Sequence, residues 1–417
     1  MSKSNKLTLW IFIGLFAGAL TGYILYLLYP SQSGSGELDP QLAGILDNLT
    51  ILTDVFLRLI KMIIAPLVLA TLVAGVAKLG DLRAVGRIGG KTMLWFISAS
   101  FISLLLGCLL VNLWQPGAMM DIPLPADDTA TGIDKAAMTF RGFITHIFPK
   151  SIAEAMATNE ILQIVVFSLF LGAATAAIGD LGKPLVEFME SLGHAMLKVT
   201  TFVMNFAPFA VFAAVTAMVA RLGGGVIAKY MLFIAEFYAG LLMLWAILLF
   251  AAFLLVRRRV LVLVRRLRQP LLIAFSTASS EAVYPKMLEE LERFGCRNRI
   301  VSFVLPLGYS FNLDGSMMYM TFASLFIAQS YGIHLDFSDQ LLMLLTLMVT
   351  SKGIAGVPRA SLVVIAGTLA AFGIPEAGLM LLLGIDHVLD MGRSATNVIG
   401  NAVATVAVSK WEKALEE

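Results

Sequence analysis

The sequence predicts an all-α polytopic membrane protein of eight transmembrane helices and two re-entrant helical hairpins, and three observations carry that prediction. Of the 417 residues, 59% are hydrophobic and 14% charged, and the mean hydropathy of +0.86 lies far above what a soluble domain tolerates. Apolar runs long enough to cross about 30 Å of hydrocarbon as helices recur near residues 8–29, 46–76, 88–114, 158–178, 192–219, 227–256, 299–330 and 378–409. Two further apolar segments, 258–292 and 335–376, are each interrupted by small polar residues and a proline.

The first run is too long for the apolar core of a cleavable signal and is expected to remain as the first helix. Pro66 and Pro208 predict kinks in the second and fifth. Arg83, Arg87 and Lys91, the block RRRVLVLVRRLR at 257–268, and Lys286, Arg293, Arg297 and Arg299 all fall on the cytoplasmic side if the N-terminus does. The acidic connector DIPLPADDTATGID at 121–134 and the loop at 30–46, which lacks Lys and Arg, then fall outside. An even number of crossings follows, with both termini cytoplasmic and the chain multi-pass in the inner membrane. The net charge of +2 reflects this topology and gives no sign of a nucleic-acid partner. Cys108 lies within a helix and Cys296 in a cytoplasmic loop, so no disulfide is expected. His146, His194, His334 and His387 are scattered without ligand spacing, so neither a metal site nor zinc chemistry is expected.

The interrupted segments carry FSTASSEAVYPKM and TSKGIAGVPRAS at their tips. Each arm is too short to span, so each segment reads as a hairpin that dips in and returns to its own side. Irregular backbone at membrane depth is tolerated only inside protein or against a water-filled cavity. Two such segments entering from opposite faces point to inverted repeats with a substrate site at the midplane. Between them lies GYSFNLDGSMMYM, where Gly308, Asn312, Asp314 and Gly315 should break a helix and free its carbonyls.

The last run contains GIDHVLDMGRSATNVIGN at 384–401. With Asp386 at zero and about 100° per residue, Asp390, Arg393, Asn397 and Asn401 fall at roughly 40°, 340°, 20° and 60°. All five share one face, while Val388, Met391, Ala395, Val398, Ile399 and Val403 take the rest. A charge at mid-bilayer costs about 2.5–3.5 kcal/mol, so the stripe must line a cavity or pair internally. Arg393 offers a planar fork suited to a carboxylate. Asp390 can accept from an ammonium group, and Asn397 with Ser279 and Ser280 can hold a second carboxylate. Those demands describe an acidic amino acid. A diacid without an amine would leave Asp390 buried and unpaired.

The motifs ASSEAVYP at 278–285, NLDGS at 312–316, SKGIAGVP at 351–358 and DMGRSATNVIGN at 390–401 resemble those of the dicarboxylate/amino acid:cation symporter family, which includes the glutamate transporters. The likeness covers about residues 7–412 and is strongest to the bacterial proton/glutamate-aspartate branch. It implies a homotrimer with the elevator-type glutamate transporter fold, the hairpins serving as inner and outer gates. Residues 1–83 (helices 1–2) and 115–222 (helices 4–5) would form the scaffold. Helix 3 at 84–114 and residues 223–417 would form the moving domain: helix 6, hairpin 258–292, helix 7 at 299–330, hairpin 335–376 and helix 8 at 378–410. The implied substrate contacts are the backbone of Ala278 and Val357, Ser280 and Asn397 at the α-carboxylate, Asp390 at the amine, and Arg393 and Ser316 at the side-chain carboxylate, with Ser279 added by the chemistry of the hairpin tip. Ser394 stands where relatives carry threonine. With Asp390 and Arg393 both present, aspartate or glutamate is favoured over a C4-dicarboxylate or a neutral amino acid.

Departures from the family bear on coupling. Phe96, Ala99 and Asn401 stand where sodium-coupled relatives have tyrosine, threonine and aspartate, so oxygens that a hard cation wants are missing. Lys352 falls in the second hairpin, where a sodium-binding turn is expected, and would act as a cation surrogate. Arg359, where glycine is usual, is a second surrogate that could help draw in an anionic substrate. Asp314, buried without the sodium that accompanies its equivalent in sodium-coupled relatives, would then take a proton. Glu281 at the first hairpin tip and Asp386 are the other candidates for the coupling proton. No cofactor is expected. The alternatives are sodium-coupled uptake of acidic amino acids, proton-coupled C4-dicarboxylate uptake, and a passive anion channel. An intramembrane aspartyl protease is disfavoured, since Asp314 and Asp390 lack the Tyr-Asp and Gly-x-Gly-Asp settings of that class, and no enzyme activity is expected.

Overall fold

The computed structural model describes residues 3–29, 39–79, 82–119, 147–351, 360–383 and 385–416. Every extended element among them is a helix, and the one strand-like feature is an isolated bridge between Cys296 and Leu415. Helix α1 spans Lys3–Leu28, α2 Pro40–Leu79, α3 Leu82–Trp114, α4 Ile161–Ala177, α5 Lys183–Val203 and α6 Ala207–Val256. The first interrupted segment folds as α7 (Val260–Thr277) and α8 (Tyr284–Phe294), and the broken helix as α9 (Asn298–Phe311) and α10 (Asp314–Ser330). The second interrupted segment gives α11 (Phe337–Thr350) and α12 (Ala360–Ala371), and α13 runs from Asp386 to Trp411.

Among the described residues five stretches are long and apolar enough to cross a membrane: Leu9–Leu28, Pro40–Lys78, Val85–Ala118, Gly179–Arg221 and Tyr230–Thr277. The remaining expected crossings miss those criteria for physical reasons. Helix α4 has 17 residues, α9 and α10 are separated by a non-helical step, and α13 is diluted by its polar stripe. The chain is a multi-pass membrane protein.

The two prolines behave differently. Pro66 sits within α2 without interrupting it, and its neighbours Ala65, Leu67 and Val68 are buried, so packing carries the helix through the missing N–H. At Pro208 the chain does break: α5 ends, a 3-10 turn covers Met204–Phe206, and Pro208 enters the first turn of α6, where a missing donor costs nothing. A difference from the sequence expectation lies just beyond. Residues 192–219 and 227–256 read as separate runs, and α6 joins the end of the first, from Ala207, to the whole of the second in one 50-residue helix. At 1.5 Å per residue it is about 75 Å long. Its partners change along its length. The first half takes α1, whose Gly18 and Gly22 let the backbones approach so closely that an added Cβ would lie 2.7 Å from Phe212 O and 2.6 Å from Thr216 O. The second half buries Phe233, Phe237, Leu241 and Leu244 in a cluster with α10 and α13.

Helix α13 is enclosed by protein. From Met391 to Ser409 every residue is buried, so the apolar flank of its stripe faces packed side chains of the chain itself. Three of the four hairpin arms are short: α8, α11 and α12 have 11, 14 and 12 residues, or about 16–21 Å at 1.5 Å per residue, whereas α7, with 18 residues, is longer than the sequence predicts.

Candidate functional site

Helix α13 presents its stripe to the break between α9 and α10. Asn312 and Leu313 are the non-helical residues at that break, and Asp314 opens α10. The exposed N–H groups of the new helix need acceptors, and Asn397 of α13 supplies one. Its Oδ1 accepts from Gly315 N at 2.9 Å and Ser316 N at 3.4 Å, while Nδ2 donates to Ser316 Oγ at 3.3 Å. The approach needs Gly315, where an added Cβ would lie 2.5 Å from Arg393 O. Thus Ser316, Arg393 and Asn397, named from the sequence, meet at one helix start.

Arg393 is buried, and one nitrogen carries its ion pairs. Nη2 lies 2.9 Å from Asp390 Oδ1 and 3.3 Å from Asp386 Oδ1. The guanidinium sits 4.1 Å from the centroid of the Tyr319 ring, a cation–π arrangement, and Tyr319 Oη donates to Asp386 Oδ1 at 3.2 Å. Arg393 Nε and Nη1, both buried, find no hydrogen-bond partner. Buried donors of a charged group are costly to leave unmade, so this half of the fork is poised for an anion. The two aspartates differ in access. The Asp386 side chain is 7% exposed and that of Asp390 37%, so Asp386 is the inner brace and Asp390 the carboxylate that a ligand can reach.

The first hairpin approaches from beside Asp390. Phe275, in the last turn of α7, packs edge-on against Tyr238 at 6.4 Å. Tyr238 donates to Val388 O at 2.6 Å, and its ring would lie 3.0 Å from a Cβ on Gly392. Ala278 ends α7 in the left-handed region, at φ 48° and ψ 38°. Ser279 Oγ accepts from Ala282 N at 3.3 Å, and Ser280 is buried. Glu281 opens the short turn Glu281–Val283, where the charges acting on it are those of Lys61 and Glu160. Lys61 belongs to α2, and Glu160 precedes α4. From the second hairpin, Ser351 Oγ reaches Met317 Sδ at 3.5 Å in the first turn of α10. Lys352, Val357 and Arg359 lie outside the described residues. Ser394 is buried on α13 beside Arg393.

A second polar cluster lies one turn further along α13. Asn312 Nδ2 donates to Asp314 Oδ2 at 3.1 Å and to Asn401 Oδ1 at 3.3 Å, and Ser103 Oγ donates to Asp314 Oδ1 at 3.4 Å. All four residues are buried, as are Phe96 and Ala99 on α3. Asn312 Oδ1 and Asn401 Nδ2 have no partner. Gly308 abuts the Asn401 amide, and Gly400 abuts the Asp314 carboxylate. Gly400→Ala should therefore press a methyl group into Oδ2 and lower the thermal midpoint in detergent, at an overpacking cost of about 1–3 kcal/mol. An unshifted midpoint would show that the cluster can yield.

Tyr319 and Tyr238 were not among the residues singled out from the sequence. The available signal was the lone tyrosine in the buried run MMYMTF, three residues after Ser316. Its role under Arg393 depends on two helices meeting, which spacing alone does not reveal.

The profile of the sodium:dicarboxylate symporter family matches residues 7–411. The chain belongs to this family. Proton/sodium-glutamate symport proteins of Bacillus caldotenax and Geobacillus stearothermophilus are each 41% identical over 407 residues, covering 96% of this chain and 93% of the relative. A C4-dicarboxylate transport protein of Rhizobium leguminosarum is 39% identical over 417 residues, covering 99% of this chain and 90% of the relative. As a member of the symporter family the chain is a transporter and not an enzyme.

Proposed function

We propose that this transporter takes up L-aspartate or L-glutamate together with protons by an elevator motion, in eight crossings with two hairpin gates, as a homotrimer of the inner membrane with both termini cytoplasmic. The observation that carries the substrate reading is Arg393: braced on one nitrogen by Asp386 and Asp390, it keeps two buried donors unpaired. A side-chain carboxylate fits that fork, with Ser316 beside it. The substrate amine fits the half-exposed Asp390, and its α-carboxylate fits the serines of the first hairpin tip, helped by Asn397 and the backbone at Ala278 and Val357.

Proton coupling is supported by the second cluster. Phe96 and Ala99 are buried hydrocarbon on α3, the helix whose Ser103 contacts Asp314, and Asn401 contributes an amide rather than a carboxylate, a poor cage for a hard cation. Asp314 or Glu281 carries the proton in this reading, Asp386 being committed to Arg393 and Tyr319. Lys352 and Arg359 act as fixed cations at the second gate.

A second reading, amine-free C4-dicarboxylates as substrate, is favoured by the naming of the relatives at 37–40% identity. Purified protein in liposomes separates these readings. An inward proton gradient with sodium absent should drive concentrative uptake of labelled aspartate or glutamate, resisted only weakly by succinate or fumarate. Uptake that needs a sodium gradient and ignores pH would overturn the coupling. Stronger competition by succinate than by aspartate would overturn the substrate, and uptake that never exceeds equilibrium would leave a channel.

A further inference from the structure

The last five described residues form a clasp. Beyond the end of α13, Glu412 takes a bidentate grip from Arg87 of α3, with Nε 3.1 Å from Oε1 and Nη2 2.8 Å from Oε2, and Lys91 Nζ lies 2.7 Å from Oε1. The Glu412 carboxylate is 5% exposed. Arg87, followed by Lys91, holds it at about 2, below its ordinary value. The grip is therefore present above the ordinary carboxylate range and lost only as pH falls through about 2. The tail then pairs with the foot of the first hairpin. Arg297 N donates to Ala414 O at 3.1 Å, and Glu416 N donates to Gly295 O at 2.8 Å. Gly295 has φ 112°, and a Cβ there would lie 2.7 Å from Glu416 O. The other foot joins through Arg259, whose Nη1 donates to Glu416 O and Nη2 to Phe294 O, each at 2.8 Å, with its guanidinium 4.9 Å from the Phe294 ring centroid. Cys296 and Ala414 are buried inside this contact.

We infer that residues 412–416 are a positioning strap: they lock both feet of the first hairpin to α3 and to the end of α13, and so set the distance between the hairpin tip and the ligand groups of α13. The lever is long. Helix α7, with 18 residues, puts the Ala278 tip about 27 Å from its foot, so a tilt of about 3° at the foot moves the tip by roughly 1.4 Å. Misplacement of about 1 Å can cost on the order of 100-fold where groups must converge on one ligand. The strap should thus act on substrate affinity more than on turnover. This rests on the proposed function for the substrate half of its test.

Cys296 supplies a built-in reporter, because burial pushes its thiol up to about 12 and keeps it inert. In a Cys108→Ser background, labelling by N-ethylmaleimide should be slow in the full chain. It should quicken about 10-fold or more when the chain ends after Trp411, and several-fold in Glu412→Gln, which keeps the tail length. For aspartate, KM should rise about 10-fold with turnover changed less than about 2-fold. Lys413→Asn, at an exposed residue with φ 52°, should match the parent in both measurements. Unchanged labelling in both tail variants would overturn the strap, as would faster labelling with an unaltered KM. A parent that transports no acidic amino acid would overturn the transport reading and this substrate effect with it, while the labelling rates alone decide the clasp.

Discussion

Arg393→Lys is expected to raise the apparent KM for aspartate uptake by about 100-fold or more. The guanidinium uses one nitrogen to hold Asp390 and Asp386 and has two further donors, Nε and Nη1, without partners. Lysine can satisfy the aspartates with a point charge but cannot also present a second, coplanar pair of donors. Hydrogen bonds to a charged group contribute about 1.5–3 kcal/mol each, and tenfold in affinity is about 1.4 kcal/mol, so losing the fork accounts for the expected factor. The change also removes the flat cation above Tyr319. A KM within about 3-fold of the parent, measured in liposomes under a fixed proton gradient, would mean that the substrate carboxylate does not sit on the unpaired side of Arg393.

The second large effect concerns which substrate the site wants. Asp390→Asn should weaken aspartate and glutamate by roughly 30- to 100-fold, since a charge-assisted contact to the substrate ammonium becomes a neutral one. Succinate, which has no amine to lose, should bind as well as before or better. Asp386 keeps Arg393 paired at 3.3 Å in the variant, so the fork is not left without a counter-charge. Competition of each compound against labelled aspartate reads both arms. An equal loss for amine-bearing and amine-free ligands would assign Asp390 to holding Arg393 in place, and would favour the C4-dicarboxylate reading.

Much of this arrangement was legible from residue order because the membrane makes polarity expensive. A stripe of five polar side chains at helical spacing has to be enclosed, and α13 is enclosed. Asn312 and Gly315 inside an apolar run marked the break between α9 and α10, and the small residues around Ala278 marked a hairpin tip. Other features follow from meetings between distant segments, which local pattern does not encode. The Tyr319 ring under Arg393, the Asn397 amide capping α10 and the grip of Arg87 on Glu412 all join residues at least 74 positions apart or on separate helices. The left-handed backbone at Ala278 was hidden for another reason, since alanine there gives no glycine-like warning. The unbroken α6 shows the opposite case: residues 192–219 and 227–256 read as separate runs, yet one helix joins them from Ala207 to Val256, its two halves having partners of their own.

Because α13 is buried in protein from Met391 to Ser409, the span that carries Arg393 and Asn397 is walled off from acyl chains. Bilayer thickness and fluidity then act on the outer surface of the protein and not directly on those groups. Reconstitution in thinner or stiffer lipids should therefore change how fast the carrier cycles while leaving how tightly it grips its cargo almost constant.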